Sequence, residues 1–163
     1  MDINLLVKVS TTITALMAIG LTYWTIRTQQ KHNKLSVAPR LCDWLHTQDN
    51  SVHYDIINKG LGTAKVSKFT FIVDGQEMCW SEFDKDIRHY FEKELNEAHQ
   101  HTSGLSADSY IAKDERIRVL ELHFLPKLEL SLILKRLTKR YQLKIKYYSL
   151  YEEPFTYESN LND

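Results

Sequence analysis

Two cysteines, three prolines, five glycines and a formal net charge of zero leave several functions without their raw material. With its charges balanced, the chain as a whole gives no sign of a duplex nucleic-acid partner, which would call for a basic surface. Proline and glycine are too sparse for a flexible linker or a low-complexity tract, and no internal repeat of solenoid length is present. The cysteines, Cys42 and Cys79, read as inert buried thiols that a reducing cytoplasm keeps unpaired; they would have the chance to pair only on the other side of a membrane.

Catalytic motifs are missing too. The histidines include no His-Glu-x-x-His helix. There is no Gly-x-Ser-x-Gly elbow. Gly60-Leu61-Gly62 lacks the Lys-Ser/Thr of a phosphate loop and reads as a plain turn. His99-Gln100-His101 offers two imidazoles but reads as a polar loop. Asp84, Asp86, Glu92, Glu94 and Glu97 read as the solvated face of a helix. No nucleophile stands beside a base. The expectation is a protein that is not an enzyme and holds no metal and no cofactor.

The most informative absence is charge between Val9 and Ile26. Eighteen positions, VSTTITALMAIGLTYWTI, carry none. At 1.5 Å per helical residue such a run just crosses the ~30 Å hydrocarbon layer. Ile3, Leu5, Leu6 and Val7 extend it backward, because Lys8 can snorkel to the near interface. Tyr23 and Trp24 stand near the far end, where aromatic rings favour the headgroups. These features predict a spanning helix over about Asn4 to Gln29, within an anchor of residues 1–30. A cleaved signal peptide would want a basic start and a small-x-small cleavage site; the chain starts Met-Asp-Ile-Asn. The flank after the run carries Arg27, Lys31, Lys34 and Arg40, against Asp2 and Lys8 before it. The positive-inside rule then places residues 31–163 in the cytoplasm, beneath an inner membrane.

Those residues are enough for one domain with a real core. Strand signals dominate. LSVAPRLCDWLHT and SVHYDIIN flank a Gln48-Asp49-Asn50 turn, with Val52, Tyr54 and Ile56 on one face. Asn58-Lys59-Gly60-Leu61-Gly62 is a breaker whose glycines can take positive φ. VSKFTFIVDGQEMCW reads as a hairpin around Asp74-Gly75. Ser81 to Asp84 resembles a capping box and opens a helix to about Ala98, with Phe83, Ile87, Tyr90, Phe91 and Leu95 as its stripe. SYIA and ERIRVLELHF read as strands around Lys113-Asp114. Leu125-Pro126 opens a second helix to about Arg140. LKIKYYSLY closes as a strand with Leu143, Ile145 and Tyr147 inward, and FTYES adds an edge. The pattern points to a mainly β domain, an immunoglobulin-like antiparallel sandwich with two inserted helices; an α+β sheet is the alternative.

Three short motifs carry a resemblance. His32-Asn33-Lys34-Leu35-Ser36-Val37-Ala38-Pro39, directly after a spanning helix, is similar to the juxtamembrane signature of a family of small uncharacterised bacterial single-pass membrane proteins. Asn58-Lys59-Gly60-Leu61-Gly62-Thr63-Ala64 resembles that family's Asn-x-Gly-x-Gly-x-Ala turn. Tyr148-Ser149-Leu150-Tyr151-Glu152 loosely resembles its C-terminal motif. The resemblance implies one helix, an immunoglobulin-like domain and no catalytic residues.

Two features stand above this background. Ser10, Thr14, Ala18 and Thr22, each four apart, form a small-residue ridge suited to close helix–helix approach, hence to a homo-oligomer in the bilayer. Lys135, Arg136, Lys139, Arg140, Lys144 and Lys146, interleaved with Tyr141, Tyr147 and Tyr148, form a basic cluster. Its aromatic platforms, Tyr148 among them, suit an anionic small ligand or an anionic lipid surface. A solvated helix and strand face explains the same residues. The leading expectation is a membrane-anchored binding module with an unknown protein partner. The alternative is a ligand-gated membrane effector sensing an anionic cyclic nucleotide, similar only in layout to CRISPR-linked or other antiphage effectors.

Overall fold

A computed structural model describes residues 3–126 and 128–159, without the side chains of residues 5, 6 and 96–101. The chain divides after Ser36 into two compact units.

The first unit is a single helix, α1 (Ile3–Ser36), of 34 residues. At 1.5 Å per residue it is about 51 Å long. It is long and apolar enough to cross a membrane, and its apolar window is wholly exposed. The helix runs past the expected end near Gln29, because nothing in Gln30 to Ser36 breaks it: no proline or glycine occurs between Gly20 and Pro39. Leu35 and Ser36, expected to begin a strand, are therefore its last turn.

The second unit holds two antiparallel sheets. The first has the order β1 (Leu41–Gln48), β2 (Ser51–Asn58), β7 (Arg116–Phe124), β5 (Leu95–Thr102). The second has the order β4 (Gln76–Met78), β3 (Ala64–Val73), β8 (Tyr141–Tyr148), β9 (Pro154–Glu158), with β6 (Tyr110–Ile111) also on β3. Helices α2 (Trp80–Tyr90) and α3 (Leu130–Arg140) complete it. Both sheets and both helices feed one hydrophobic cluster. Val52, Tyr54 and Ile56 enter it from β2, and Leu143, Ile145 and Tyr147 from β8, on the faces that alternation predicted. Phe83 of α2 stacks on Phe71 of β3 with centroids 3.5 Å apart. The cavity between Tyr54, Phe71, Phe83 and Leu137 measures about 10 Å³, room for a single water at most.

The β3–β4 hairpin turns where expected. Asp74 (φ 49°) and Gly75 (φ 85°) both take positive φ, as a type I′ turn requires. Gly60 and Gly62 serve a different purpose from the one anticipated. Neither has positive φ; instead each allows close approach. A Cβ on Gly62 would stand 1.7 Å from the Val37 carbonyl oxygen, and one on Gly60 2.3 Å from the Arg40 nitrogen. Buried Asn58 fastens the same end. Its amide donates to the carbonyls of Gly62 (2.7 Å) and Ile111 (3.0 Å), and its Oδ1 accepts from Arg40 N (3.1 Å) and Gly60 N (3.0 Å). The Asn-x-Gly-x-Gly turn is thus a clamp on the residues that follow α1.

Two helix boundaries differ from expectation. α2 is capped by Cys79, whose backbone N donates to Glu82 Oε2 at 2.9 Å, not by Ser81 with Asp84. It ends at Tyr90 rather than Ala98. Phe91 and Leu95 are buried, but Leu95 to Thr102 form β5 against β7. α3 starts at Leu130, after Pro126 rather than through it.

Candidate functional site on the outer face of the first sheet

β2 has buried residues at every position, although it alternates apolar and polar. Its inward residues meet the core. Its outward ones, Ser51, His53, Asp55 and Ile57, are sealed by long side chains from β1 and β7. The registers place Trp44 opposite Asp55, and His46 opposite His53. From the other side, Arg118 stands opposite Asp55, Glu121 opposite His53, and His123 opposite Ser51. A bulge in β7 between the Arg118 and Leu120 pairings makes this possible. In a regular strand residues three apart lie on opposite faces; the extra residue puts Arg118 and Glu121 on the same one.

The result is a connected polar network. Asp55 is fully buried, with Arg118 Nε at 3.1 Å and Arg116 Nη1 at 3.8 Å. Arg118 Nη1 continues to Glu121 Oε2 at 2.8 Å. Glu121 Oε1 meets His123 Nε2 at 3.0 Å, and His123 Nδ1 meets the Ser51 hydroxyl at 2.8 Å. His46 and His53 stack with ring centroids 5.0 Å apart. Burial, with the Arg118 guanidinium nearby, holds His53 below the usual histidine range. Hydrogen bonds from Arg118 and His123 hold Glu121 below the usual carboxylate range. Hydrogen bonds to Asp55 and Glu121 push Arg118 up. Among the described side chains the Nδ1 atoms of His46 and His53 and the Oδ2 of Asp55 are buried without a hydrogen-bond partner.

At the rim, Arg116 lies over the half-exposed Trp44 ring, 4.8 Å from its centroid, a cation–π contact that fixes the guanidinium at the surface. Among the described residues no group of three His, Cys, Asp or Glu could hold a metal ion.

The sequence-derived basic cluster lies elsewhere, on α3 and β8, and much of it is occupied. Arg136 bonds Glu94 at 2.5 Å and lies over the Tyr90 and Phe91 rings. Arg140 bonds Asp86 at 2.8 Å and approaches Asp74 at 3.4 Å. Lys144 bonds Glu158 at 2.6 Å. Lys135, Lys139, Lys146 and Tyr148 are exposed. Asp86 and Glu94 are thus partners of this cluster, not a purely solvated face.

On α1, the hydroxyls of the small-residue ridge are spent within the helix. Ser10 donates to Val7 O (3.0 Å), Thr14 to Ser10 O (2.8 Å) and Thr22 to Ala18 O (2.8 Å); Ala18 has no polar group to place. The thiol of Cys42 is half-buried and that of Cys79 exposed, both free, so neither is the fully buried thiol anticipated. The imidazoles of His99 and His101 lie outside the described side chains.

Sequence reasoning missed the β2–β7 network because His53 and Asp55 alternate with apolar residues and so look like a solvent face. The available signal was opposite charge on two strands: Asp55 on one, Arg116 and Arg118 on the other.

The molecule is defined by a helix long and apolar enough to cross a membrane and a two-sheet β domain with a polar network on one outer face. No family model matches the chain, and no curated protein matches it. The resemblance to small single-span proteins therefore rests on its motif residues alone.

Proposed function

We propose that the protein is a membrane-anchored interaction module. α1 tethers it to the inner membrane, and the β domain, an immunoglobulin-like sandwich in the cytoplasm, recruits a protein partner through the outer face of its first sheet. The observation that carries the reading is the presence, in one chain, of an exposed, uncharged helical run and a self-contained domain whose outward Arg116 lies over the Trp44 ring and 3.8 Å from buried Asp55. The surface has the composition of a binding hot spot, and the Arg116 side chain, 3.8 Å from Asp55, makes no hydrogen bond among the described residues, which leaves its donors for a partner's carbonyl or carboxylate. The ligand-gated effector has less support, since Arg136, Arg140 and Lys144 already hold carboxylates.

The test is site-specific photo-crosslinking in cells, with the crosslinker at Trp44 or, as a control, at exposed Lys146 of the second sheet. The reading expects a discrete adduct from Trp44 that Arg116→Ala abolishes, and none from Lys146. Equal adducts from both positions would count against the first sheet as the partner face.

A further inference from the structure

We propose that one end of the β domain seats on the headgroup layer of the bilayer that holds α1. The seat consists of Leu61, Tyr110, Tyr148, Leu150 and Tyr151. The inference rests on reading α1 as a spanning helix.

The first argument is reach. With the span ending near Gln29, the seven helical residues to Ser36 rise about 10 Å, and the headgroup layer is itself about 5–7 Å thick on each side. Val37, the first residue of the domain, follows at once. No free linker intervenes: the Val37–Arg40 backbone is clamped by Gly60, Gly62 and Asn58, and Lys59 N donates to Arg40 O at 2.8 Å. The chain therefore keeps Val37 within about 10 Å of the end of the span.

The second argument is composition. Lys65 pairs with Tyr110 on one side and Tyr148 on the other, so the two phenols flank it at the end of the second sheet. Leu150 and Tyr151 sit in the turn after Tyr148, and Leu61 sits beside the clamp. Among the described residues, nine large apolar or aromatic side chains beyond α1 are exposed, and these five are the majority. Leu61 and Leu150 are 61% and 64% exposed, apolar surface that a bilayer would cover. Tyrosine, with an apolar ring and a polar tip, belongs at a bilayer interface. The nearby charges balance in number: Lys65 bonds Asp108 at 2.9 Å, Lys113 approaches Asp114 at 4.0 Å, and Arg40 and Lys59 near Leu61 are matched by Glu152 and Glu153 after Tyr151. The seat is therefore apolar and aromatic in character, and it holds on neutral lipid as well as on anionic lipid.

Hydroxyl-radical footprinting of the full chain in phosphatidylcholine nanodiscs tests this, with exposed Trp44 as internal standard. The expected result is several-fold slower oxidation of Tyr110 and Tyr151 than in the double variant Leu61→Glu with Leu150→Glu. Both altered side chains are solvent-exposed and outside the core. The same protection is expected when phosphatidylglycerol is added. Equal oxidation in wild type and variant overturns the seat. Protection only in anionic lipid also overturns it, in favour of electrostatic attraction. A chain that fails to stay with the discs overturns the spanning helix itself.

Discussion

α1 and β2 dispose of their polar groups in opposite ways. The helix exposes nearly every side chain and returns its hydroxyls to its own backbone: Thr11 to Val7 at 2.8 Å, Thr14 to Ser10 at 2.8 Å, Thr25 to Leu21 at 2.9 Å. Its serine and threonine hydroxyls ask for no partner outside the helix, which is what a segment surrounded by hydrocarbon needs. β2 exposes nothing and draws side-chain partners from another strand, Asp55 from Arg118 and Ser51 from His123, while His53 Nδ1 and Asp55 Oδ2 stay buried without a hydrogen bond. Local satisfaction suits a lone element in lipid. Satisfaction at long range ties a sheet together and makes its outer face depend on distant residues.

The contrast can be broken by substitution, most severely in the core that β2 shares with β8. Ile145 is fully buried, so Ile145→Ala should cost about 2–5 kcal/mol in chemical denaturation. A loss well under 1 kcal/mol would mean the sheets do not pack through this face. On the helix, Ala18→Arg near the middle of the run should raise the insertion cost by about 2.5–3.5 kcal/mol, visible as a larger carbonate-extractable fraction. Unchanged extraction would count against a lipid environment.

Asp55→Ala should cost about 2–3 kcal/mol, because it strips a buried partner from Arg118 while that guanidinium keeps some access to water. A neutral result would reduce the network to decoration. The pH dependence sharpens the same point. His53 has a lower pKa folded than unfolded, so its neutral form favours the fold. That contribution is whole above the unfolded value of about 6.5 and fades as pH falls through the folded one. His46, Asp55, Arg118, Glu121 and His123 surround it and set the size of the effect. The melting temperature should drop between pH 7 and pH 5, and His53→Phe should flatten that drop. An identical pH profile in the variant would remove His53 from the account. The smallest effect belongs to Thr14→Val. Its hydroxyl bonds only its own helix, so stability and extraction should change by less than about 0.5 kcal/mol, and a large change in assembly mass would instead reveal a helix partner for the ridge.

Much of this was readable in the sequence where one physical rule acts locally. The uncharged run, the Asp74-Gly75 turn and the inward faces of β2 and β8 follow from hydrocarbon thickness, positive φ and alternation. Failures occurred where a distant strand decided. Phe83, Ile87, Phe91 and Leu95 keep helical spacing, yet β7 recruits Leu95 to Thr102 as β5. The β7 bulge turns Arg118 and Glu121 to one face, which alternation assigns to opposite faces. The α3 cations looked free because Asp86 and Glu94, which hold Arg140 and Arg136, lie 54 and 42 residues away in sequence.

The central claim is that α1 anchors the β domain on the cytoplasmic side of a membrane. Paired reporter fusions at the C-terminus, one active only in the cytoplasm and one active only outside it, test that most directly when combined with carbonate extraction. The account predicts an active cytoplasmic reporter, a silent external one and a protein that stays with the membrane. An active external reporter, or release of the protein by carbonate, would contradict it.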